Sequence, residues 1–252
     1  MNINFPAPGQ TAALRELWKA AFGDEDAFLD GFFSTAFSPS RCRRIEEAGC
    51  ILAALYWFDV TCDGKKMAYI YAVATDPAHR GRGLCRRLME DAKAVLQAQG
   101  YAGILLVPCE PGLVCMYAKL GYSPCTTVSV FRCKAGDPPV SLRQIGAGEY
   151  ARLRAAMLPA GGVIQEGVNL AFLETYTTLY AGENFLTAIS MEDDVLHCQE
   201  LLGDADAAPG ILRSLGCREG IFRTPGGDHA FSMICPLNEN CPQPAYFGLA
   251  FD

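Results

Sequence analysis

The chain has 252 residues, a formal net charge of −7 and an apolar half. That is enough to build one large domain or two small ones, and no run of about 18 uncharged apolar residues marks a membrane span. The acidic balance argues against nucleic acid as a partner and favours small cationic substrates. The twelve cysteines lack a Cys-x-x-Cys pair; they form neither a zinc pattern nor a disulfide framework and read as buried, reduced thiols of a cytoplasmic protein.

The opening residues, MNINFPAPGQ, have neither a basic n-region nor an apolar h-region, so no secretory signal is expected. Residues 11–22 read as an amphipathic helix capped by Thr11 and ended by Gly23. Residues 26–37 read as a second helix; its Phe28, Phe32, Phe33 and Phe37 recur at the spacing of core packing, with the lining of a substrate pocket as the alternative. Residues 41–47 and 50–62 predict strands, and Asp63-Gly64 is a hairpin signal leading into the alternating run 67–75, MAYIYAVAT. Strict alternation puts Met67, Tyr69, Tyr71, Val73 and Thr75 on one face, and Ala68, Ile70, Ala72 and Ala74 on the other.

Asp76-Pro77 breaks that strand, and a short loop with two glycines comes next. From Leu84 the apolar residues fall at 84, 88, 92, 95 and 96, one face of a helix. Its charge is misplaced. Arg80, Arg82, Arg86 and Arg87 crowd the end where the helix dipole is already positive, each costing roughly 0.3–1 kcal/mol if exposed. A local rule broken four times implies an anion as the missing partner. Amides at a helix start, reached over Gly81 and Gly83, make a cradle for phosphate; a basic helix start facing solvent is the plainer alternative. There is no P-loop and no dinucleotide fingerprint. After Gly100, residues 102–107 predict a buried parallel strand, 113–120 a short helix and 126–133 a strand.

The stretch VATDPAHRGRGLCRRL resembles the acyl-coenzyme A binding motif of the GNAT N-acetyltransferase superfamily. The motif Arg/Gln-x-x-Gly-x-Gly/Ala falls on Arg80, Gly83 and Cys85, with Cys85 departing from the usual Gly or Ala. A second landmark, a Tyr followed by a Gly-aromatic pair, is matched by Tyr117 and Gly121-Tyr122. The resemblance implies an α/β GNAT fold, a mixed, mostly antiparallel twisted sheet flanked by helices, with acetyl-coenzyme A as co-substrate and no metal. It implies that Val73, Ala74 and Thr75 pair with the pantetheine arm. It also implies that the diphosphate rests on the amides of Gly81, Arg82, Gly83, Leu84, Cys85 and Arg86, beside Arg80, and that Tyr117 is the general acid. Many relatives carry a carboxylate base on the central strand; residues 67–75 contain none. Glu110 could reach the amine through water, with Glu46 and Glu47 behind it. Cys109 has no His close by in sequence to activate it and reads as a structural thiol.

Residues 135–139 read as a linker, and 141–158 resemble the first strand and helix of another GNAT unit. Beyond them the pattern predicts a helix over 171–180, strands over 185–191 and 195–202, a helix over 206–215 and strands over 221–224, 230–236 and 246–251. No second binding motif appears. The expected organisation is a GNAT domain over 1–134 and a degenerate GNAT-like α+β half over 140–252. The tandem layout resembles the enhanced-intracellular-survival family of aminoglycoside acetyltransferases, whose base is the terminal carboxylate; by that resemblance Asp252 is a further candidate. The expected function is acetyl transfer by direct attack of a primary amine of a small-molecule or amino-acid-like acceptor, in the cytoplasm. Neither nucleic acid nor membrane is an expected partner, and self-association is left open. A non-catalytic acyl-coenzyme A binding or sensing module is the alternative.

Overall fold

The computed structural model describes residues 1–251 and divides into two compact units. The first comprises Met1–Ser123 and Met233–Pro242; the second comprises Pro124–Ser232 and the residues from Gln243 on. The expected boundary at 134–140 is thus not where the units divide: the strand after Gly121-Tyr122 goes with the second unit, and a late segment returns to the first.

In the first unit the elements run β1 (Asn2–Asn4), α1 (Thr11–Phe22), α2 (Asp26–Thr35), β2 (Cys42–Glu47), β3 (Cys50–Cys62), β4 (Lys65–Thr75), α3 (Leu84–Ala98), β5 (Gly103–Leu106) and α4 (Pro111–Ala118). The strands lie in the order β1-β2-β3-β4-β5, antiparallel except for β4 and β5, and Met233–Pro236 pairs antiparallel with β5. Parallel neighbours need a crossover, and α3 supplies it. The β3–β4 hairpin turns where expected, with Asp63 and Gly64 both at positive φ, 47° and 70°, as a type I′ turn requires. Thr11 is not the cap of α1. Gln10 is, and its side-chain oxygen accepts from the Ala7 amide and the Arg44 guanidinium instead of from the helix.

The sheet has two unlike faces. Ile45, Leu55, Trp57, Ala68, Ile70, Ile104 and Leu106 pack with Leu84, Leu88, Met89, Ala92 and Leu96 of α3, the stripe read from the spacing but with Met89 in it in place of Val95. The other face is aromatic: Trp18 of α1 and Phe32 of α2 meet Tyr56 and Tyr71, with Phe58 and Tyr69 alongside. Phe32 is buried, while Phe28, Phe33 and Phe37 are half-buried.

The second unit holds β6 (Ser123–Lys134, but for its first residue), β7 (Arg143–Gln144), α5 (Ala147–Met157), α6 (Val168–Leu173), β8 (Thr178–Ala181), β9 (Phe185–Glu192), β10 (Val195–Gly203), α7 (Ala208–Leu215) and β11 (Glu219–Pro225). Its strand order is β6-β11-β10-β9-β8-β7, with β10 and β11 the parallel pair. The last strand, β12 (His229–Pro236), begins in this unit and ends in the first. Residues 171–180 are not one helix: α6 stops at Leu173, and the Thr-rich run after it turns and becomes β8. The hydroxyls of Thr175 and Thr177 bond back to the carbonyls of Phe172 and Leu173, 2.7 Å each, and β-branched and aromatic residues suit a strand better. Nor are residues 246–251 a strand; they make one bridge, Gly162 to Tyr246, and are otherwise irregular though buried. The cysteines are free, but Cys50, Cys109 and Cys115 are exposed, not buried as expected.

Candidate active site

The site starts where β4 leaves β5. The two strands pair only at Met67, Ala68 and Tyr69, so residues 70–75 of β4 have no β5 partner and their outward peptide groups border a gap. On the other side the register against β3 steps from Tyr56–Tyr71 to Ala54–Ala74, placing one extra residue in β4. Ala72 absorbs it at φ 50°, a left-handed conformation costing a non-glycine residue roughly 1–2 kcal/mol. Such a bulge re-aims the side chains beyond it. Val73 therefore packs with the α3 cluster, not with Tyr69 and Tyr71, and the expected alternation fails beyond Ala72. Nothing in Ala-Val-Ala marks the break.

At the end of β4 the chain turns through Asp76, whose Oδ1 accepts the Ala78 amide at 2.8 Å. Gly81 and Gly83 then take φ 77° and 72°, and a Cβ built on either would meet no atom within 4 Å. Backbone is bare there. The first backbone bond of α3 runs from the Arg87 amide to the Gly83 carbonyl at 3.1 Å, leaving the Leu84, Cys85 and Arg86 amides as the donors every helix start leaves over. The arginines are placed differently from one another. Arg80 donates to the carbonyls of Thr75 (3.4 Å) and Ala21 (3.2 Å), bracing the loop, and Arg82 pairs with Glu47 at 3.1 Å. Arg86 is exposed and makes no ion pair among the described residues. Cys85 is half-buried, and burial raises its thiol pKa, so at neutral pH it adds no negative charge. A row of amides, a positive helix end and bare glycines fit a diphosphate.

Tyr117 sits on α4 with 7% of its surface exposed, against the α3 cluster and 5.9 Å, ring to ring, from Tyr122. Burial, then the nearby Cys85 and Cys109 thiols, push its hydroxyl pKa up; it stays protonated. Val73, Leu84, Cys85 and Tyr117 therefore belong to one cluster. Glu110 is not among them: it is the exposed N-cap residue of α4. Glu46 is held by Arg44 (2.7 Å) and Gln10 (2.9 Å), and Glu47 by Arg82. Asp252 lies outside the described residues. One feature invisible to sequence reasoning is the Tyr122 hydroxyl, buried and without a hydrogen-bond partner among the described residues.

The second unit also has a parallel strand pair and a register shift. Its parallel pair meets only at Leu196, His197 and Cys198 of β10, and β10 has its own register shift between Cys198 and Glu200. Where the first unit has arginines, β10 is followed by Asp204 and Asp206, the Asp204 carboxylate accepting the Asp206 amide at 3.0 Å. The final segment lies against the shifted strand: Tyr246 donates to Glu200 at 3.0 Å, and Arg223 reaches the carbonyls of both Gln199 and Gly248 at 3.4 Å. Glu200 is also gripped by Arg154 through two bonds of 2.6 and 3.0 Å, both side chains being fully buried.

Residues 5–125 match a family model described as an acetyltransferase (GNAT) domain. No curated protein matches the chain. Among solved structures, a GCN5-related N-acetyltransferase from Kribbella flavida superposes with TM-score 0.68 at 18% identity, over 92% of this chain and 70% of that one. Eis1 from Mycobacterium abscessus gives 0.70 at 12%, over 94% and 74%. A GCN5-related N-acetyltransferase from Sphaerobacter thermophilus gives 0.54 at 12%, over 97% and 96%. At such identities the likeness is one of fold.

Proposed function

With residues 5–125 matching the model of a GNAT acetyltransferase domain, we propose that the chain is a member of that family and moves an acetyl group from acetyl-coenzyme A to a primary amine of a small-molecule or amino-acid-like acceptor by direct attack. The observation that carries this reading is the bare, donor-rich turn at Gly81 and Gly83 next to the unpaired edge of β4.

Acetyl-coenzyme A supplies the activated acetyl thioester. The amides of Gly81, Arg82, Gly83, Leu84, Cys85 and Arg86 hold its diphosphate, with the guanidinium groups of Arg80, Arg82 and Arg86 adding positive charge around them. Val73, Ala74 and Thr75 offer edge peptide groups to the pantetheine amides, as a sheet edge offers them to an added strand. Tyr117 keeps a proton at its hydroxyl for the departing sulfur. An acceptor amine with a pKa of about 10.4 is neutral in roughly one molecule in 10³ at pH 7, a penalty of about 4–5 kcal/mol. A base or a water chain relieves it, and Glu110 and Asp252 are the candidate carboxylates. The second unit is a degenerate GNAT-like half: carboxylates stand where a diphosphate would need donors, and residues 246–248 lie on its shifted strand.

A panel of amines assayed by thiol release, wild type against Tyr117→Phe, tests the reading. Turnover on at least one amine, lost in the variant, is expected. Tight cofactor binding with no turnover on any amine would favour the sensing module, the reading that the carboxylate-free central strand supports.

A further inference from the structure

At the far end of β10 from the Asp204–Asp206 turn, the second unit contains a cavity of about 480 Å³. Its position follows from the lengths of the elements around it. An eight-residue helix such as α7 is about 12 Å long, whereas a nine-residue strand such as β10 is about 30 Å. The helix ends at Leu215, where Gly216 takes φ 71° and its amide returns to the Arg213 carbonyl at 3.3 Å. The sheet runs on past it: Thr178 of β8 pairs with Ile189 of β9, and Met191 pairs with Leu196 near the start of β10. Ile189 and Leu196 lie in the cluster under α7, so Thr178 and Met191 share that face of the sheet. They line the cavity together with Tyr180, Leu215 and Cys217, the last just beyond the helix end.

Among the described residues no charged side chain lines this cavity. Cys217 Sγ stands 3.8 Å from Met191 Sδ, and burial raises the Cys217 thiol pKa, so that wall is soft and neutral. Met191 is 56% exposed, the highest value for a large apolar side chain among the described residues. On the rim, Thr175 and Thr177 donate their hydroxyls to the Phe172 and Leu173 carbonyls, 2.7 Å each. The Thr178 hydroxyl makes no hydrogen bond among the described residues, which leaves it able to donate and to accept. We infer that the cavity binds an uncharged aromatic ring bearing a hydroxyl group, with the ring against Met191, Leu215 and Tyr180 and the hydroxyl on Thr178. Polarizable sulfur and an aromatic neighbour suit a flat ring. A carboxylate or an ammonium entering here gives up water and meets no opposite charge, and a ring without a hydroxyl leaves Thr178 unanswered. The volume falls in the range of small-molecule sites, about 300–1,000 Å³. All these residues belong to the second unit, outside the 5–125 match, so the inference stands apart from the acetyl-transfer reading.

The test is NMR on the full chain labelled at its methionine methyl groups, with the Met191 signal assigned through Met191→Leu. Benzyl alcohol, toluene, benzoate and benzylamine, probes of nearly one shape, are titrated at neutral pH. Benzyl alcohol is expected to shift the Met191 methyl saturably, with benzoate and benzylamine weaker by about tenfold or more. Thr178→Val, which keeps a β-branched residue in the strand, is expected to weaken benzyl alcohol about fivefold and leave toluene unchanged. No saturable shift with benzyl alcohol, equal binding of the charged probes, or an equal effect of Thr178→Val on benzyl alcohol and toluene overturns the inference. The comparison with charged probes needs wild type alone, so it decides independently of how the variant folds.

Discussion

Gly83 is where one side chain decides most. At φ 72° with nothing within 4 Å of a Cβ, the position has room for a methyl group but no comfortable backbone for it. Gly83→Ala should therefore cost about 1–2 kcal/mol of stability from the left-handed φ, and also place a methyl group where the diphosphate must approach. The expected result is a modest fall in the denaturation midpoint with a loss of acetyl-coenzyme A affinity of at least tenfold; unaltered affinity in a folded variant would move the anion elsewhere. Tyr117 makes the second residue-scale prediction. Because burial raises its pKa, it remains a donor across the neutral and mildly alkaline range. The rate should climb with pH as the acceptor amine loses its proton, with no falling limb below about pH 10. Tyr117→Phe should lower kcat about 10²-fold or more while the affinity for acetyl-coenzyme A stays within about threefold. A falling limb near neutral pH would show that some other group donates the proton. Much at this scale is legible in the sequence: two glycines and misplaced arginines are a local contradiction, and local contradictions can be read from neighbouring residues. What Arg80, Arg82 and Arg86 each do is not legible, because it depends on Thr75, Ala21 and Glu47, which the fold brings to them.

The elements show the same division. The α3 stripe and the Asp63-Gly64 hairpin are readable because period and turn chemistry are properties of neighbouring residues. The bulge at Ala72 is not. An apolar Ala-Val-Ala run looks the same whether or not a residue is inserted, and only the register against β3 reveals it. The expected 171–180 helix fails for a related reason: its apolar spacing weighs less than the β-branched Thr175, Thr177 and Thr178. In the second unit, α5 and β10 are joined by the Arg154–Glu200 pair, both members fully buried. Removing one partner strands a buried charge, so Arg154→Met should cost about 3–5 kcal/mol, whereas Arg154→Met with Glu200→Leu should recover most of that loss. Equilibrium denaturation of the single and double variants checks it. Additive losses would mean that the remaining bonds of this network, donated by the Tyr246 and Tyr150 hydroxyls to Glu200 and by Arg154 to the Val163 carbonyl, matter more than the pair.

For the whole molecule, the two units share a plan and differ in chemistry. Each has a parallel strand pair that meets at only three registered positions, a crossover helix and a register shift in the strand before it. In one, glycines and arginines come after the strand; in the other, Asp204 and Asp206 do, and the closing segment of the chain takes the place beside the strand. That a second unit follows the first is legible in outline from the restarted strand–helix pattern. The return of Met233–Pro242 to the first unit is not, since nothing local in that segment says which β-strand it will join. The proposed reading, with the cofactor bound by the first unit alone, gives a definite stoichiometry, which calorimetry of acetyl-coenzyme A against the full chain measures directly. One molecule bound per chain, with uptake lost in Gly83→Ala, is the predicted result; no uptake by the folded protein, two molecules per chain, or undiminished uptake by the variant would contradict it.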